Sequence, residues 1–374
     1  MITLYGRAFI DDEIRDDALI TFDLGQIVDV RVVAHPPAGA ERIAGVIVPG
    51  FIDVHVHGGA GADFMDADAT AVAQVLAFHA TEGTTALAAT TLSASRGDLH
   101  TAVDVLARMA HSKPHGAEIC GIHLEGPYIN VRAAGAQDAT SIRPSDLHEL
   151  AALISLAPEK RWIVTIAPEL AHAEELIEQF RDRVLFSIGH TAATHAEAVA
   201  ALEWGAAHFT HLFNAMTGLH HRDPGVVGAA LTSVGATIEL IADGIHIHPA
   251  VLRIAAQAMP HRVALITDAV RACGMPDGSY KLYDRDIIVS GGVARLSSGA
   301  LAGSTLTMRR AVQNMVELAG LPLEIVLPMA TEVPARILGI DNRKGRLDAG
   351  YDADIVVLSE RFDIEQVFVR GAHG

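Results

Sequence analysis

The sequence predicts an α/β fold: a (β/α)8 barrel of the TIM type with a small β-sandwich domain formed by both chain termini. Three observations carry that expectation. From Val46 to Asp268, near-continuous apolar stretches alternate with amphipathic helical ones, the pattern of a parallel sheet covered on both faces. Eight such units occur, which favours a closed barrel over an open sheet. The segments on either side carry short alternating strands instead, so the two ends are expected to complete one small domain. The expected division is 1–48, 49–340 and 341–374, with the barrel in the middle, and 374 residues suffice for it.

Along the chain, 2–5, 17–22 and 26–30 read as the first short strands. The barrel strands are expected at 46–55, 84–91, 118–125, 162–168, 184–190, 206–211, 237–243 and 262–268. Helical periodicity lies between them, for example over 68–81 with Asp66 as a candidate cap, 145–157 and 193–204. After the eighth strand, 280–282 and 286–289 alternate, and Gly291-Gly292 makes a hairpin turn into 293–296. Helices follow over 305–318 and 334–338, and 354–358 and 366–369 return to strands. The segment 131–134 reads as a mobile loop.

Composition narrows the function classes. Lys and Arg number 28 against 45 Asp and Glu, a formal charge of −17, which argues against nucleic acid or an anionic membrane as partner. An anionic substrate would then need a local positive clamp. Two cysteines, Cys120 and Cys273, make no disulfide framework and suit a reducing compartment. The first residues lack a basic stretch followed by an apolar run, and no apolar run approaches the ~20 residues that span a bilayer. A cytoplasmic chain is the expectation.

Chemistry concentrates at the carboxyl ends of the expected strands, where such barrels work. The first strand ends in His55-Val56-His57, and residues two apart on a strand share a face. Alone, that pair serves as well for a polar rim as for two ligands of one cation. Glu125 ends the third strand, His190 the fifth, His211 the sixth and Asp268 the eighth. Four imidazoles and two carboxylates on one rim suit a borderline cation such as Zn2+ or Fe2+ better than Mg2+ or Ca2+.

Those ligands, with the tail Pro334–Gly339 and Lys344–Leu358, resemble the amidohydrolase superfamily. More narrowly, His123–Tyr128, Gly189–Thr191, His211–Met216, His221–Gly225 and Leu301–Ser304 are similar to the N-acetylglucosamine-6-phosphate deacetylase family. The resemblance runs essentially end to end. It implies hydrolysis of N-acetyl-D-glucosamine 6-phosphate to D-glucosamine 6-phosphate and acetate, in amino-sugar catabolism or wall recycling, by a homodimer. It implies one or two divalent metal ions, with two favoured because both first-strand histidines are present. Glu125, His190 and His211 would hold one ion; His55, His57, Glu125 and Asp268 would surround the other. Asp268 would be the catalytic acid and base. Asn214, Ala215, Arg222 and His246 would bind the amino-sugar phosphate, with Arg222 a phosphate clamp that acts in its own or a neighbouring subunit. One departure stands out: where many members carry Gly-Ala-His, this chain has Gly135-Ala136-Gln137, and Gln137 can donate a hydrogen bond to substrate but cannot become a cation. The galactosamine epimer as substrate, hydrolysis of a cyclic amide or dipeptide, and a barrel that has lost catalysis are the competing readings.

Overall fold

The structure, a computed structural model, describes residues 1–112 and 115–373. Lys113, Pro114 and Gly374, which fall inside the expected ranges 49–340 and 341–374, lie outside the described residues. Eight strands, Phe51–Val56, Thr84–Thr91, Glu118–Glu125, Arg161–Ile166, Val184–Ile188, His208–Phe209, Thr237–Ile241 and Val263–Ile266, pair in chain order. Every pairing is parallel. The first and eighth strands meet at their carboxyl ends, where Asp268 N–H donates to His55 O and His57 N–H to Ala269 O, each at 2.9 Å. All eight residues of Thr84–Thr91 are buried, as expected for a strand with helices outside and side chains filling the barrel inside.

Several strands end about two residues earlier than expected, and two differ more from the sequence expectation. The stretch 46–55 is not one strand: Glu41–Pro49 belongs to a second sheet, and Phe51 begins the barrel. The break falls at Gly50, whose N–H bonds Asp354 O while Phe51 N–H bonds Gly83 O. A Cβ at Gly50 would lie 2.2 Å from Thr85 Oγ1, so glycine is what lets the chain pass from one sheet to the other. The sixth strand, expected over 206–211, is only His208–Phe209, because the backbone turns left-handed at His211. Among the helices, Asp68 caps Ala69–Thr81 by accepting from the N–H groups of Thr70 and Ala71. Asp66, the candidate from sequence, instead closes the short turn Phe64–Asp66 and pairs with Arg271 at 2.6 Å.

The second sheet joins seven strands from both ends of the chain into one ladder, ordered 372–373, 364–369, 355–358, 41–49, 2–10, 13–23 and 26–32. It has its own core, in which Leu4, Ile20, Ile47 and Ile355 pack with Phe22 and Phe368. An ion cluster ties it to the amino-terminal face of the barrel. The Lys344 ammonium, 2 % exposed, lies 3.1 Å from Glu118 at the start of the third barrel strand, 2.9 Å from Asp352, and also bonds Asp354. Arg343 and Arg370 complete it, 2.7 and 3.2 Å from Glu118.

At the opposite face, Gly278–Leu282, Arg285–Ser290 and Val293–Leu296 form a three-stranded antiparallel sheet. Gly291 and Gly292 make its turn with φ of 59° and 74°, a conformation that favours glycine at both positions. Arg285 donates to the carbonyls of Ala136 and Gln137, which fastens this sheet over the mouth of the barrel. The segment 131–134, expected as a mobile loop, begins with a one-turn 3-10 helix capped by Asn130.

Candidate active site

The six strand-end residues converge. His55 and His57 project side by side from the first strand, buried, with Nε2 atoms 3.3 Å apart. Glu125 stands at the end of the third strand. His190, His211 and Asp268 lie just beyond their strands, each in a left-handed backbone conformation with φ of 46°, 27° and 49°. Such a conformation is unfavourable for a residue with a Cβ and persists only where its surroundings enforce it. Here they do: Asn130 N–H bonds His190 O, Asp268 N–H bonds His55 O, and Ser304 N–H bonds Asp268 O. The chain thus bends as it leaves each strand, and these side chains meet over the barrel's carboxyl end.

Glu125 is the centre of the cluster. Its Oε1 lies 3.0 Å from both His190 Nε2 and His211 Nε2 and 3.3 Å from His55 Nε2. Its Oε2 lies 3.4 Å from His57 Nε2. Asp268 Oδ1 lies 3.2 Å from His57 Nε2 and 3.6 Å from His55 Nε2. Proton positions decide what these contacts mean. His57 Nδ1 faces the Thr90 carbonyl at 3.3 Å and His190 Nδ1 the Ala133 carbonyl at 2.8 Å. A carbonyl only accepts, so those Nδ1 atoms carry the ring proton and Nε2 presents a lone pair in the neutral ring. His190 and His211 then bring Nε2 atoms to 3.0 Å from each other, a contact that needs a proton or a cation between them. Two donor sets result, Glu125 with His190 and His211, and Glu125 with His55 and His57, and both fit a divalent ion of borderline softness.

Charge in the chain itself agrees. Burial opposes a proton on His57, but the facing Asp268 and Glu125 outweigh it and raise its pKa to about 9. Burial pushes Glu125 up, yet the surrounding imidazoles hold it well below the usual carboxylate range, and Asp268 is lowered for the same reason. A third set, His55, His123 and Glu239, also lies within reach of one cation. There hydrogen bonds account for the polar atoms: His123 Nδ1 donates to Val54 O at 3.0 Å, and Thr165 Oγ1 pairs with His123 Nε2 at 2.8 Å. Protons hold that set together.

The cluster floors a cavity of about 330 Å3, within the range of small-ligand clefts. Gln137, Asn214, Ala215 and His246 line it. The Gln137 amide is engaged at both ends, its oxygen accepting from Ser93 N–H at 2.6 Å and its nitrogen donating to Glu125 Oε2. In this structure it steadies the carboxylate at the edge of the cavity. His246 Nδ1 pairs with Asp243 at 2.6 Å; burial disfavours a charge on that ring, but the Asp243 bond outweighs it and raises its pKa. Arg222 is exposed on the loop after the sixth strand and does not line the cavity. Arg132, which the sequence pattern placed only in a loop, does line it, as the one Lys or Arg among its described lining residues. Sequence reasoning also missed Glu239 and His208; the signal was a carboxylate inside the apolar strand Thr237–Ile241.

Comparison with known proteins agrees with this geometry. The amidohydrolase family model matches residues 46–373. An N-acetylgalactosamine-6-phosphate deacetylase of Escherichia coli O157:H7 is 41 % identical over 358 residues, 95 % of this chain and 94 % of that protein. The N-acetylglucosamine-6-phosphate deacetylase of Bacillus subtilis (strain 168) is 41 % identical over 332 residues, 87 % of this chain and 84 % of that one. Among solved structures, a mutant of the Mycobacterium smegmatis N-acetyl-D-glucosamine-6-phosphate deacetylase in complex with N-acetyl-D-glucosamine-6-phosphate superposes with a TM-score of 0.95. It is 35 % identical and covers 100 % of this chain and 98 % of that one. The family implies use of a divalent metal, which the donor sets here are built to hold. With its barrel, its strand-end donor sets and these matches in agreement, the chain belongs to the amidohydrolase family.

Proposed function

We propose that this chain hydrolyses N-acetyl-D-glucosamine 6-phosphate to D-glucosamine 6-phosphate and acetate. The observation that carries the reading is the convergence of Glu125, His190, His211, His55, His57 and Asp268 beneath one small-ligand cavity. Relatives named for this reaction, alignable over most of the chain, support it. Two ions, Zn2+ or Fe2+, would be held, one by Glu125, His190 and His211 and one by His55, His57 and Glu125 with Asp268 beside it. Bound there, a divalent cation supplies polarisation of the acetamide carbonyl and a more acidic water. Asp268 takes the proton of the attacking water as the C–O bond forms. It then returns that proton to the amine as the C–N bond breaks, which an amide needs because its nitrogen leaves poorly as an anion. Gln137 steadies Glu125.

At the other end of the substrate, His246 and the Asn214-Ala215 turn, which line the cavity, receive the phosphate. Arg222 is exposed and does not line the cavity of its own chain, which supports the reading in which it reaches the site of a second subunit in a homodimer. Arg222→Ala is expected to raise KM about 10–100-fold for the phosphorylated sugar, the loss of a charge-assisted contact, and much less for the unphosphorylated one. Steady-state kinetics on both sugars check this. Mixing Arg222→Ala and Asp268→Asn subunits should restore one full site per mixed dimer; no recovery would place the arginine in its own subunit. The buried, unpaired Cys120 and Cys273 support a cytoplasmic location, and no helix of the described residues is long and apolar enough to cross a membrane.

A second reading has its own support, since the Escherichia coli relative aligned over 95 % of this chain is named for the galactosamine epimer. Acetate release measured on both epimers, with metal content determined on the same preparation, tests the proposal. Faster turnover of the galactosamine epimer would transfer the assignment to it, and release from neither would end both.

A further inference from the structure

We infer that Glu239 is the positioning residue that makes the His55–His57 end of the cluster able to hold an ion, an inference that rests on the two-ion reading above. Glu239 sits inside the seventh barrel strand, fully buried, and lines neither the cavity nor the surface. Its Oε2 lies 3.0 Å from His55 Nδ1 and accepts from the backbone N–H of His211 at 3.0 Å. Its Oε1 lies 3.0 Å from His208 Nε2, whose other nitrogen meets Thr237 Oγ1 at 2.6 Å. A buried carboxylate is costly unless fully partnered, and all three of its partners here are donors.

The consequence falls on His55. An ionised carboxylate only accepts, so the neutral His55 ring keeps its proton on Nδ1 and turns a lone pair at Nε2 toward His57 and Glu125. Without Glu239 the Nδ1 proton would lose its acceptor. Glu125 and Asp268, 3.3 and 3.6 Å from Nε2, would draw the proton there instead, where it blocks an incoming cation. The other rings are treated differently. His57 and His190 give their Nδ1 protons to backbone carbonyls, whereas His55 gives its proton to a carboxylate, the stronger way to raise ligand basicity. By also accepting from His211 N–H, the same oxygen fixes the backbone of a residue in the other donor set.

Glu239→Gln tests this with little change of shape. Its amide oxygen can accept from His55 and His211, and its NH2 can donate to His208 once that ring shifts its proton to Nδ1 and donates to Thr237. Glu239→Asp keeps the charge but withdraws the oxygens. Holoenzyme and both variants are dialysed against graded Zn2+ buffers and the zinc per chain is measured, with thermal unfolding of the stripped proteins alongside. The expected result is a wild type that holds two ions and variants whose second ion binds about 10–100-fold more weakly. In Glu239→Gln, whose amide oxygen still accepts from His211 N–H, the first ion is held as in the wild type and the stripped protein still unfolds cooperatively. Loss of both ions in parallel in Glu239→Gln, retention of both at wild-type affinity in both variants, or failure of both variants to fold would overturn the inference. A wild type that holds one ion would instead overturn the two-ion reading, and this inference with it.

Discussion

Asp268→Asn is expected to lower turnover by about 10²–10⁴-fold while the protein still binds metal, the range for loss of a positioned acid–base group. The substitution is nearly isosteric, and the backbone around it is fixed by Asp268 N–H to His55 O and Ser304 N–H to Asp268 O. Neither bond involves the side chain, so the left-handed turn at residue 268 should survive. An amide oxygen can still face His57 from the place of Oδ1, now 3.2 Å away. What an asparagine cannot do is take up a proton at that point and give it back to a departing amine. Turnover and metal content measured on the same preparation check the expectation. Near-normal turnover in a metal-loaded variant would remove Asp268 from the chemistry, and loss of metal would make it chiefly a ligand.

The largest expected effect on stability lies at the other face. Lys344→Met should destabilise the protein by about 3–5 kcal/mol, because removing one partner leaves buried opposite charges uncompensated. Burial works against the Lys344 charge, but Asp354, Glu118 and Asp352 outweigh it and hold its pKa above the ordinary 10.5. Burial likewise pushes Glu118 up, and Arg343 and Lys344 overcome it and hold that carboxyl below the ordinary 4.5. Glu118, with its folded pKa depressed, contributes stability that is complete above its unfolded value and is lost as acid protonates it in the folded state. Lys344, with its folded pKa raised, contributes stability that is complete below its unfolded value and is lost in strong alkali. The difference between wild type and variant should therefore be flat from about pH 5 to pH 10 and shrink in stronger acid. Denaturant unfolding across that range measures it; a difference that grew in acid would contradict the account.

Much of the site was legible because barrel architecture makes strand ends predictable. The apolar runs located the strands, and His55, His57, Glu125, His190, His211 and Asp268 are the polar residues that end five of them. The His55–His57 pair alone fitted a polar rim as well as a ligand pair, and the other four residues stand with it in one cluster. What escaped were the residues that support these side chains. Glu239 lies mid-strand among isoleucines and leucine, where periodicity reads only an interruption. Gln137 matched a substrate-contacting position, yet its amide bridges Ser93 and Glu125, residues 44 and 12 positions away in the chain. The basic tail at Arg343-Lys344 was recognisable as a motif, but the buried charge it meets, Glu118, lies more than 200 residues earlier.

The sequence by itself determined the eight-unit barrel, the sheet built from both termini and the six residues that end its strands, because periodicity and strand-end position are local properties. Tertiary structure alone decided how those residues meet. The left-handed turns at His190, His211 and Asp268, the split at Gly50 and the reach of Glu239 across to His55 are enforced by contacts between distant segments, and only closure of the barrel brings those segments together. The exposure of Arg222, outside the cavity of its own chain, is of the same kind: a loop's composition states what it can bind, and the fold states where it stands.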